Sequence, residues 1–217
     1  MEVIIETANK PKVIILLGGP ASGKGTQAKV LAKRIGYSYF GTGDLLRAEV
    51  EKGTELGKKF AELMNKGELV PDELTDPIVK EKLEELKESG IVLDGYPRNI
   101  QQAGTLAEVF PDEDFLVLNI AVSPQSLLKR MSSRRICDKC GSIFTIKSES
   151  EKNCTACGGN LIQRADDSEE ILAKRIKAYE ERTEPIISYY REKGKVKDID
   201  GEPPIPEVTK QIEEEVK

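Results

Sequence analysis

The chain has 217 residues, of which 38% are hydrophobic and 33% charged, and its formal net charge is −5. This composition suits a globular protein that buries a sizeable core, and the acidic balance gives no overall basic surface for nucleic acid. The sequence contains no histidine, which excludes His-based triads, imidazole general bases and histidine metal ligands.

No stretch approaches the roughly 20 apolar residues that a membrane-spanning helix needs. Residues 1–12 contain two glutamates and a short apolar run, and they lack the basic start of a signal peptide. We therefore expect a cytoplasmic protein that does not associate with membranes.

Short, continuously apolar runs predict β-strands that are covered on both faces, as in a parallel sheet. They lie at residues 13–17, 91–93, 115–122 and 196–199, and residues 37–40 are a candidate fifth strand. Helical patterns lie between them, at residues 24–35, 77–87, 123–131 and 168–190, with an interruption expected near Pro185 in the last. This alternation predicts an α/β fold with right-handed crossovers.

Two stretches interrupt the alternation of strands and helices. Residues 41–70 are polar and helical, and residues 133–167 carry all four cysteines. We predict that these are two insertions, and that the core consists of residues 1–40, 71–132 and 168–217.

A glycine-rich turn, GGPASGKGT at residues 18–26, follows the first predicted strand and opens the first predicted helix. Its backbone N–H groups and the helix N-terminus form a nest for phosphate oxygens. Lys24 can reach the β- and γ-phosphates, and Thr26 offers a hydroxyl for magnesium. The usual signature has that hydroxyl directly after the lysine, where this chain has Gly25. The context predicts a nucleotide phosphate site, against the alternative of an ordinary glycine-rich turn.

The cysteines form two C-x₂-C pairs, Cys137 with Cys140 and Cys154 with Cys157. A glycine follows each pair and would relieve the backbone after the ligands. Four thiolates without histidine favour a tetrahedral structural zinc with no open position. Two disulfides or a rubredoxin-like iron site are the alternatives. A zinc ion would staple a segment too small to build its own core.

The Gly-Lys-Gly-Thr variant of the phosphate loop resembles that of the nucleoside monophosphate kinases. Further motifs resemble, in the same order, those of the adenylate kinases with a zinc-binding lid. They are TGDLLR (42–47), GELVPD (67–72), LDGYPR (93–98) with Gln102, Arg130, Arg134-Arg135, QRADD (163–167), Arg175 and the Tyr189-Tyr190 region. The resemblance covers nearly the whole chain.

This resemblance implies a P-loop fold of three layers, with a five-stranded parallel sheet flanked by helices. Residues 41–70 would be a helical AMP-binding insertion and residues 133–167 a small zinc-ribbon lid. The implied reaction is the reversible, Mg²⁺-dependent conversion of ATP and AMP into two molecules of ADP, which maintains adenine nucleotide balance. ATP, AMP and ADP are then the expected partners, without nucleic acid, and the expected state is a monomer.

The resemblance also assigns site residues. Those that would bind ATP are Gly19, Pro20, Ala21, Ser22, Gly23, Lys24, Gly25, Thr26, Arg130, Arg134, Ile143 and Phe144. Those that would bind AMP are Thr42, Gly43, Arg47, Glu68, Leu69, Val70, Gly95, Tyr96, Pro97, Arg98, Gln102, Arg164 and Arg175. The catalytic set is Lys24, Asp94, Arg98, Arg134, Arg164 and Arg175, and the metal ligands are Cys137, Cys140, Cys154 and Cys157.

Within these sets, Arg47 and Arg98 would hold the AMP phosphate, and Thr42 and Gln102 would contact its base. Arg134, Arg164 and Arg175 would close on the transferring phosphoryl group, and Arg130 would lie against the ATP adenine. Asp94 would orient hydrated magnesium.

The absence of histidine agrees with this chemistry, because the acceptor is a phosphate oxygen that is already anionic. No general base is needed, and positioning and charge stabilisation carry the catalysis. Arginine supplies the planar, multidentate donors that such a site requires.

Each residue also has a simpler explanation when taken alone. A single arginine is commonly a solvated surface residue, Thr42 a helix N-cap and Gln102 a surface residue. Asp166 and Asp167 are either an acidic helix N-terminus or partners of the lid and core arginines.

Two other functions compete with the adenylate kinase prediction. A UMP/CMP kinase is the nearest, and Thr42 and Gln102 favour adenine over it. A nucleotide-dependent zinc-ribbon module that binds nucleic acid is disfavoured by the mixed charge of the ribbon and by its single aromatic residue, Phe144.

The sequence departs from the family pattern at two places. In the lid, residues 141–153 lack the paired prolines often found there, and Thr145 stands where a histidine commonly follows. Near the end of the chain, Glu202-Pro203-Pro204 replaces the residues that typically border the ATP base. We therefore assign no base contact to residues 202–204.

Overall fold

The computed structural model describes residues 11–111, 114–146, 148–164 and 167–217. Within these ranges, a parallel sheet of five strands forms the centre of the molecule. The strands are β1 (Val13–Leu17), β2 (Ser38–Gly41), β3 (Ile91–Asp94), β4 (Phe115–Ala121) and β8 (Val196–Asp200), in the spatial order β2-β3-β1-β4-β8. The predicted parallel sheet is confirmed, including its fifth strand.

Helices cover both faces of the sheet, which gives the predicted three layers. One face carries α1 (Lys24–Ile35) and α9 (Ile205–Val216), and the other carries α4 (Asp72–Leu86), α5 (Ile100–Val109) and α8 (Glu184–Glu192). Side chains of β1 alternate between the two cores, so Ile15 packs on one side and Ile14 on the other. All residues of β1 are buried, which explains its continuously apolar sequence.

Two helices follow β2 and pack closely on each other. They are α2 (Thr42–Glu51) and α3 (Glu55–Asn65). Leu46, Phe60 and Val70 form a small core of their own between these helices and the following segment. Gly57 permits the close approach, because a Cβ there would lie 2.3 Å from the carbonyl oxygen of Glu49.

A second, antiparallel sheet follows α6 (Pro124–Ser132). Its strands are β5 (Arg134–Cys137), β6 (Ile143–Thr145) and β7 (Leu161–Ile162), with β5 in the middle. The four cysteines lie on β5 and on the connections that flank β6 and β7. The described part of residues 133–167 is thus a small β-structure, as expected for a ribbon.

Helix α4 begins five residues before the predicted boundary at residue 77, so Pro77 lies inside it. Asp72 and Glu73 in its first turn favour a helix start there through the helix dipole. Thr75 is buried and its backbone N–H bonds to the carbonyl of Pro71. These contacts before Pro77 stabilise the helix by more than the missing N–H of Pro77 costs. The sequence pattern alone indicated a helix boundary at this proline.

The predicted helix at residues 168–190 is interrupted, as expected near Pro185. It consists of α7 (Glu169–Ala178), a π-helical turn (Tyr179–Thr183) and α8. The N–H of Glu184 bonds to the carbonyl of Tyr179, and Pro185 lies in the first turn of α8, where its missing N–H costs little. None of the described helices is long and apolar enough to cross a membrane.

Candidate active site

The phosphate loop connects the end of β1 to the start of α1. Gly18 and Gly23 have φ values of 149° and 94°, which side chains rarely adopt. A Cβ at Gly18 would also lie 2.8 Å from the carbonyl oxygen of Ile120 in β4. The loop thus turns tightly against the sheet and leaves the N-terminus of α1 at the cleft, where it favours anions.

The structure gives a physical reason for Gly25, which stands where the usual signature has a serine or threonine. A Cβ at this position would lie 2.7 Å from Oδ2 of Asp94 at the end of β3. A serine or threonine directly after Lys24 would therefore collide with the carboxylate. The hydroxyl one position later, on Thr26, still lines the cleft.

The cleft has a volume of about 500 Å³ and lies at the carboxyl ends of β1 and β3, the edge of open α/β sheets at which ligands bind. Most of the predicted site residues line it, namely Ala21, Ser22, Gly23, Lys24, Gly25, Thr26, Gly43, Arg47, Glu68, Leu69, Val70, Asp94, Gly95, Arg98, Arg130, Arg134, Ile143, Arg164 and Arg175. The topology therefore brings residues from all parts of the chain to one site.

Pro20, Tyr96 and Pro97 are among the predicted site residues that do not line the cleft. Pro20 and Pro97 line a small adjoining cavity of about 80 Å³, which shares Lys24 and Arg98 with the cleft. Tyr96 is fully buried in the core beneath the sheet. Its side chain therefore packs, and only its backbone is available to a nucleotide.

Lys24 is a partly buried cation surrounded by other cations. Its Nζ donates to the carbonyl of Gly19 at 3.3 Å. Burial, together with the nearby charges of Arg98, Arg134 and Arg175, lowers its pKa to about 8 against the opposing effect of Asp94. This concentration of positive charge calls for a multiply charged anion such as a triphosphate.

Arg98 is fixed through its backbone and through its side chain. Its N–H donates to Gln102 Oε1 at 2.8 Å, and its carbonyl accepts from Thr183 Oγ1 at 3.0 Å. Its Nε donates to the carbonyl of Gly95 at 2.8 Å. Burial lowers the pKa of Arg98, as expected for a cation held ready for an anionic ligand.

A buried carboxylate joins two of the predicted arginines. Asp167, whose side chain is fully buried, accepts from Nε of Arg134 at 2.8 Å and also from its Nη2. Nη1 of Arg175 lies 3.7 Å from Oδ1 of the same carboxylate. The expected role of Asp167 as a partner of both arginines is seen here, and Asp166 lies outside the described residues.

Asp94 offers an oxygen suited to a cation. Its Oδ2 accepts from the Tyr39 hydroxyl at 3.4 Å, and its Oδ1 is buried without a hydrogen-bond partner among the described residues. A buried, unsatisfied carboxylate oxygen is costly unless a ligand completes it. The site therefore fits hydrated Mg²⁺, which prefers carboxylate and water oxygens.

Lys29, Tyr39 and Asp44 also line the cleft, although none of them was among the predicted site residues. Tyr39 donates to Asp44 at 3.0 Å, and Lys29 lies 2.8 Å from the same carboxylate. Burial opposes ionisation of Asp44, but its bonds to Lys29 and Arg47 lower its pKa to about 2. Asp44 belongs to the TGDLLR motif at residues 42–47, whereas no motif in the sequence indicated Tyr39 or Lys29.

Thr42 and Gln102 are buried just behind the cleft wall, each 4% exposed. Thr42 is the first residue of α2 rather than its N-cap, which is Gly41, and its hydroxyl donates to the carbonyl of Gly95 at 3.1 Å. Gln102 is not a surface residue, since it bonds to Arg98 and to Asp72. The simpler explanations for these two residues are therefore wrong.

The opposite end of the cleft is lined by residues of the second sheet and of the loop before α9. Arg130 donates to the carbonyls of Ser22 at 3.2 Å and Gly201 at 2.6 Å. Ile143 and Thr145 line the cleft, whereas Phe144 belongs to the other face of β6. The segment at 201–205, which includes the unassigned residues 202–204, also lines it.

The four cysteine sulfurs lie within 4.8 Å of one another. Sγ of Cys137 is 3.4 Å from that of Cys157, and Sγ of Cys140 is 3.7 Å from that of Cys154. A tetrahedral Zn–S₄ site with bonds of 2.3 Å has sulfur separations of about 3.8 Å. The arrangement therefore fits one zinc ion, and no cysteine is in a disulfide.

The two cysteine pairs have the same backbone geometry. Gly141 donates its N–H to the carbonyl of Cys137 at 3.0 Å, and Gly158 donates to Cys154 at 2.8 Å. Both glycines are left-handed, with φ of 67° and 71°. The prediction that a glycine relieves the backbone directly after each cysteine pair is confirmed.

The chain is similar to known proteins over most of its length. A family model described as adenylate kinase matches residues 16–195. The adenylate kinase of Archaeoglobus fulgidus is 44% identical over 207 residues, which cover 92% of this chain and 95% of that protein. That of Caldicellulosiruptor saccharolyticus is 45% identical over 206 residues, covering 92% and 96%, and that of Acetivibrio thermocellus is 42% identical over 206 residues, covering 92% and 95%. The chain therefore belongs to the adenylate kinase family.

Proposed function

We propose that this chain is an ATP:AMP phosphotransferase that converts ATP and AMP reversibly into two molecules of ADP, with the site residues in the roles set out below. Membership of the adenylate kinase family supports the reaction. One structural observation carries the assignment of the site. Lys24 of the phosphate loop and six arginines from other segments converge on a single cleft, namely Arg47, Arg98, Arg130, Arg134, Arg164 and Arg175.

The phosphate loop and Lys24 hold the β- and γ-phosphates of ATP. Arg47 and Arg98 hold the AMP phosphate, and Thr42 and Gln102 contact its base, flanked by the backbone of residues 68–70. Arg134, Arg164 and Arg175 stabilise the charge that shifts as the phosphoryl group moves between two anionic chains. No residue acts as a base, because the AMP oxygen is already ionised.

Asp94 and Thr26 are the residues that would hold magnesium, Asp94 through water. When bound, Mg²⁺ would neutralise part of the negative charge on the phosphate oxygens. The unpartnered Oδ1 of Asp94 supports this assignment, and Gly25 leaves the space that the carboxylate needs.

Residues 41–70 act as the AMP-binding insertion, residues 133–167 as the lid over ATP, and the remainder as the core. Closure of the two insertions excludes water, which would otherwise hydrolyse ATP. The four cysteines would hold a structural zinc that staples the lid. Arg130, Ile143 and the loop at 201–205 border the ATP base.

We further propose a cytoplasmic monomer that acts on free nucleotides without nucleic acid or membrane.

The test is ADP formation by the purified protein with ATP and, separately, AMP, CMP, UMP and GMP. We expect a kcat/KM for AMP that is at least about tenfold above the others, since mismatched base contacts cost that much or more. Equal rates with CMP and AMP would overturn AMP as the acceptor. Absence of ADP formation with every acceptor would overturn the reaction itself.

A further inference from the structure

The side-chain amide of Gln102 is held in one orientation by two groups of opposite hydrogen-bonding character. Its Oε1 accepts the backbone N–H of Arg98 at 2.8 Å, and its Nε2 donates to Oδ1 of Asp72 at 2.7 Å. A backbone N–H only donates and an ionised carboxylate only accepts. If the amide were reversed, its NH₂ group would face the N–H of Arg98 and its oxygen would face the carboxylate of Asp72, inside a nearly closed pocket.

The carboxylate of Asp72 accepts hydrogen bonds from two side-chain amides, one on each of its oxygens. Its Oδ2 accepts from Nδ2 of Asn99 at 2.7 Å. Oδ1 of Asn99 in turn caps α5 by accepting the N–H of Gln102 at 2.8 Å. An asparagine at position 72 would offer only one acceptor oxygen where two are needed.

The position of Asp72 in the fold links this network to the cleft. It is the first residue of α4, and only Pro71 separates it from the segment at 67–70, which lines the cleft. Arg98, at the other end of the Gln102 amide, also lines the cleft. Among the described residues, the remaining contact of Gln102 Nε2 is a longer one, 3.4 Å to Oδ1 of Asp76.

We propose that Asp72 is a positioning residue that selects the acceptor base by orienting Gln102. This inference rests on the proposed contact between Gln102 and the AMP base. A 6-amino purine presents a donor at N6 and an acceptor at N1, which match Oε1 and Nε2 in the observed orientation. A 6-oxo purine presents an acceptor at O6 and a donor at N1, which match only the reversed amide.

The test compares kcat/KM for AMP with that for IMP, its 6-oxo counterpart, at saturating ATP. Asp72→Asn leaves one acceptor oxygen, which Nδ2 of Asn99 needs because the other end of the Asn99 amide caps α5. The new NH₂ group then faces Gln102 and stabilises the reversed glutamine. We expect the AMP-to-IMP ratio to fall about tenfold, as for one mispaired hydrogen bond. Asp72→Ala removes the acceptor without supplying a donor, so the ratio falls less than in Asp72→Asn.

The ratio is measured on one preparation, so a loss of folded protein cancels. Glu73→Gln is the matched control, because it removes the same charge from the next residue of the same turn of α4, where the side chain is exposed. We expect it to leave the ratio unchanged. An alanine variant that loses as much selectivity as Asp72→Asn would indicate general loosening of α4 and would overturn the inference.

Gln102→Leu separates this inference from the function on which it rests. If Gln102→Leu loses selectivity but Asp72→Asn keeps it, the base contact stands and the positioning role of Asp72 falls. If Gln102→Leu keeps the wild-type ratio, the proposed base contact itself is wrong, and the inference falls with it.

Discussion

The buried carboxylate of Asp167 makes a bidentate contact with the guanidinium of Arg134, accepting from Nε through Oδ2 and from Nη2 through Oδ1. Arg134 begins β5 of the small antiparallel sheet, whereas Asp167 lies just before α7, which carries Arg175. One carboxylate therefore orients two of the arginines proposed to stabilise the transferring phosphoryl group. It also ties the proposed lid to the core.

Replacing Asp167 by asparagine should cost both stability and activity. The change leaves Arg134 without its buried counter-charge, so we expect the free energy of unfolding to fall by about 3–5 kcal/mol. Misplacement of the two arginines should lower kcat about 100-fold. Denaturant unfolding and steady-state kinetics at saturating nucleotide measure the two effects.

The matched control for this prediction is Asp198→Asn. Asp198 makes a similar two-pronged contact, to Arg191 at 2.8 and 2.9 Å, but both side chains are about half exposed. We expect little change in stability or activity. Equal losses of stability and activity in Asp167→Asn and Asp198→Asn would show that burial of the Asp167 carboxylate is not the cause of the effect.

Lys24→Met should abolish activity while stabilising the nucleotide-free protein. Loss of the cation at the phosphate loop is expected to lower phosphoryl transfer by several orders of magnitude. The partly buried lysine disfavours folding at neutral pH, because its pKa falls from 10.5 to about 8. Its replacement should therefore raise the free energy of unfolding by up to about 3 kcal/mol.

The pH dependence of that stability difference follows from the direction of the pKa shift. Below pH 8 the lysine is charged in both states, and the cost of burying the charge is fully present. Between pH 8 and 10.5 the folded protein releases its proton before the unfolded chain does, so the difference between Lys24→Met and wild type should shrink. A difference that grows with pH would contradict the assignment.

Gly25→Ala should be damaging even though it lies in a helix, where alanine is usually the better residue. The added methyl would lie 2.7 Å from Oδ2 of Asp94, so we expect displacement of the carboxylate and about a 100-fold loss of kcat. The control is Gly104→Ala in α5, where no atom lies within 4 Å of the added Cβ. That variant should keep full activity and gain about 1 kcal/mol of stability.

Purified protein should contain one zinc ion per chain, bound by the four cysteines. Removing it with a strong chelator should unfold the small sheet and cost most of the activity, because β5 runs from Arg134 directly to Cys137. The parallel sheet should keep its cooperative thermal transition, and added zinc should restore activity. Full activity in demonstrably metal-free protein would contradict a stapling role.

The parts of the fold that follow from short-range pattern were predictable. The runs that form β1, β3 and β4 are continuously apolar because helices cover both faces of the sheet. The glycine spacing of the phosphate loop and of the cysteine pairs reflects backbone geometry that few other residues can adopt. The start of α4 was missed because its buried Thr75 and acidic first turn outweigh the local signal of Pro77.

The parts of the site that depend on contacts between distant segments were not predictable. Asp72 and Gln102 are 30 residues apart, and only the packing of α4 on α5 brings them together. Tyr39 reaches Asp94 across neighbouring strands, over 55 positions. Both arrangements need a register that no single segment of the sequence encodes.

The most direct test of the proposed reaction is ³¹P NMR of the purified protein with ATP, AMP and Mg²⁺. Direct transfer in a closed site predicts that the ATP γ-signal and the AMP signal decline together, with two ADP formed for each pair consumed and no build-up of inorganic phosphate. Release of inorganic phosphate at the rate of ATP loss, with AMP unchanged, would contradict phosphoryl transfer to AMP.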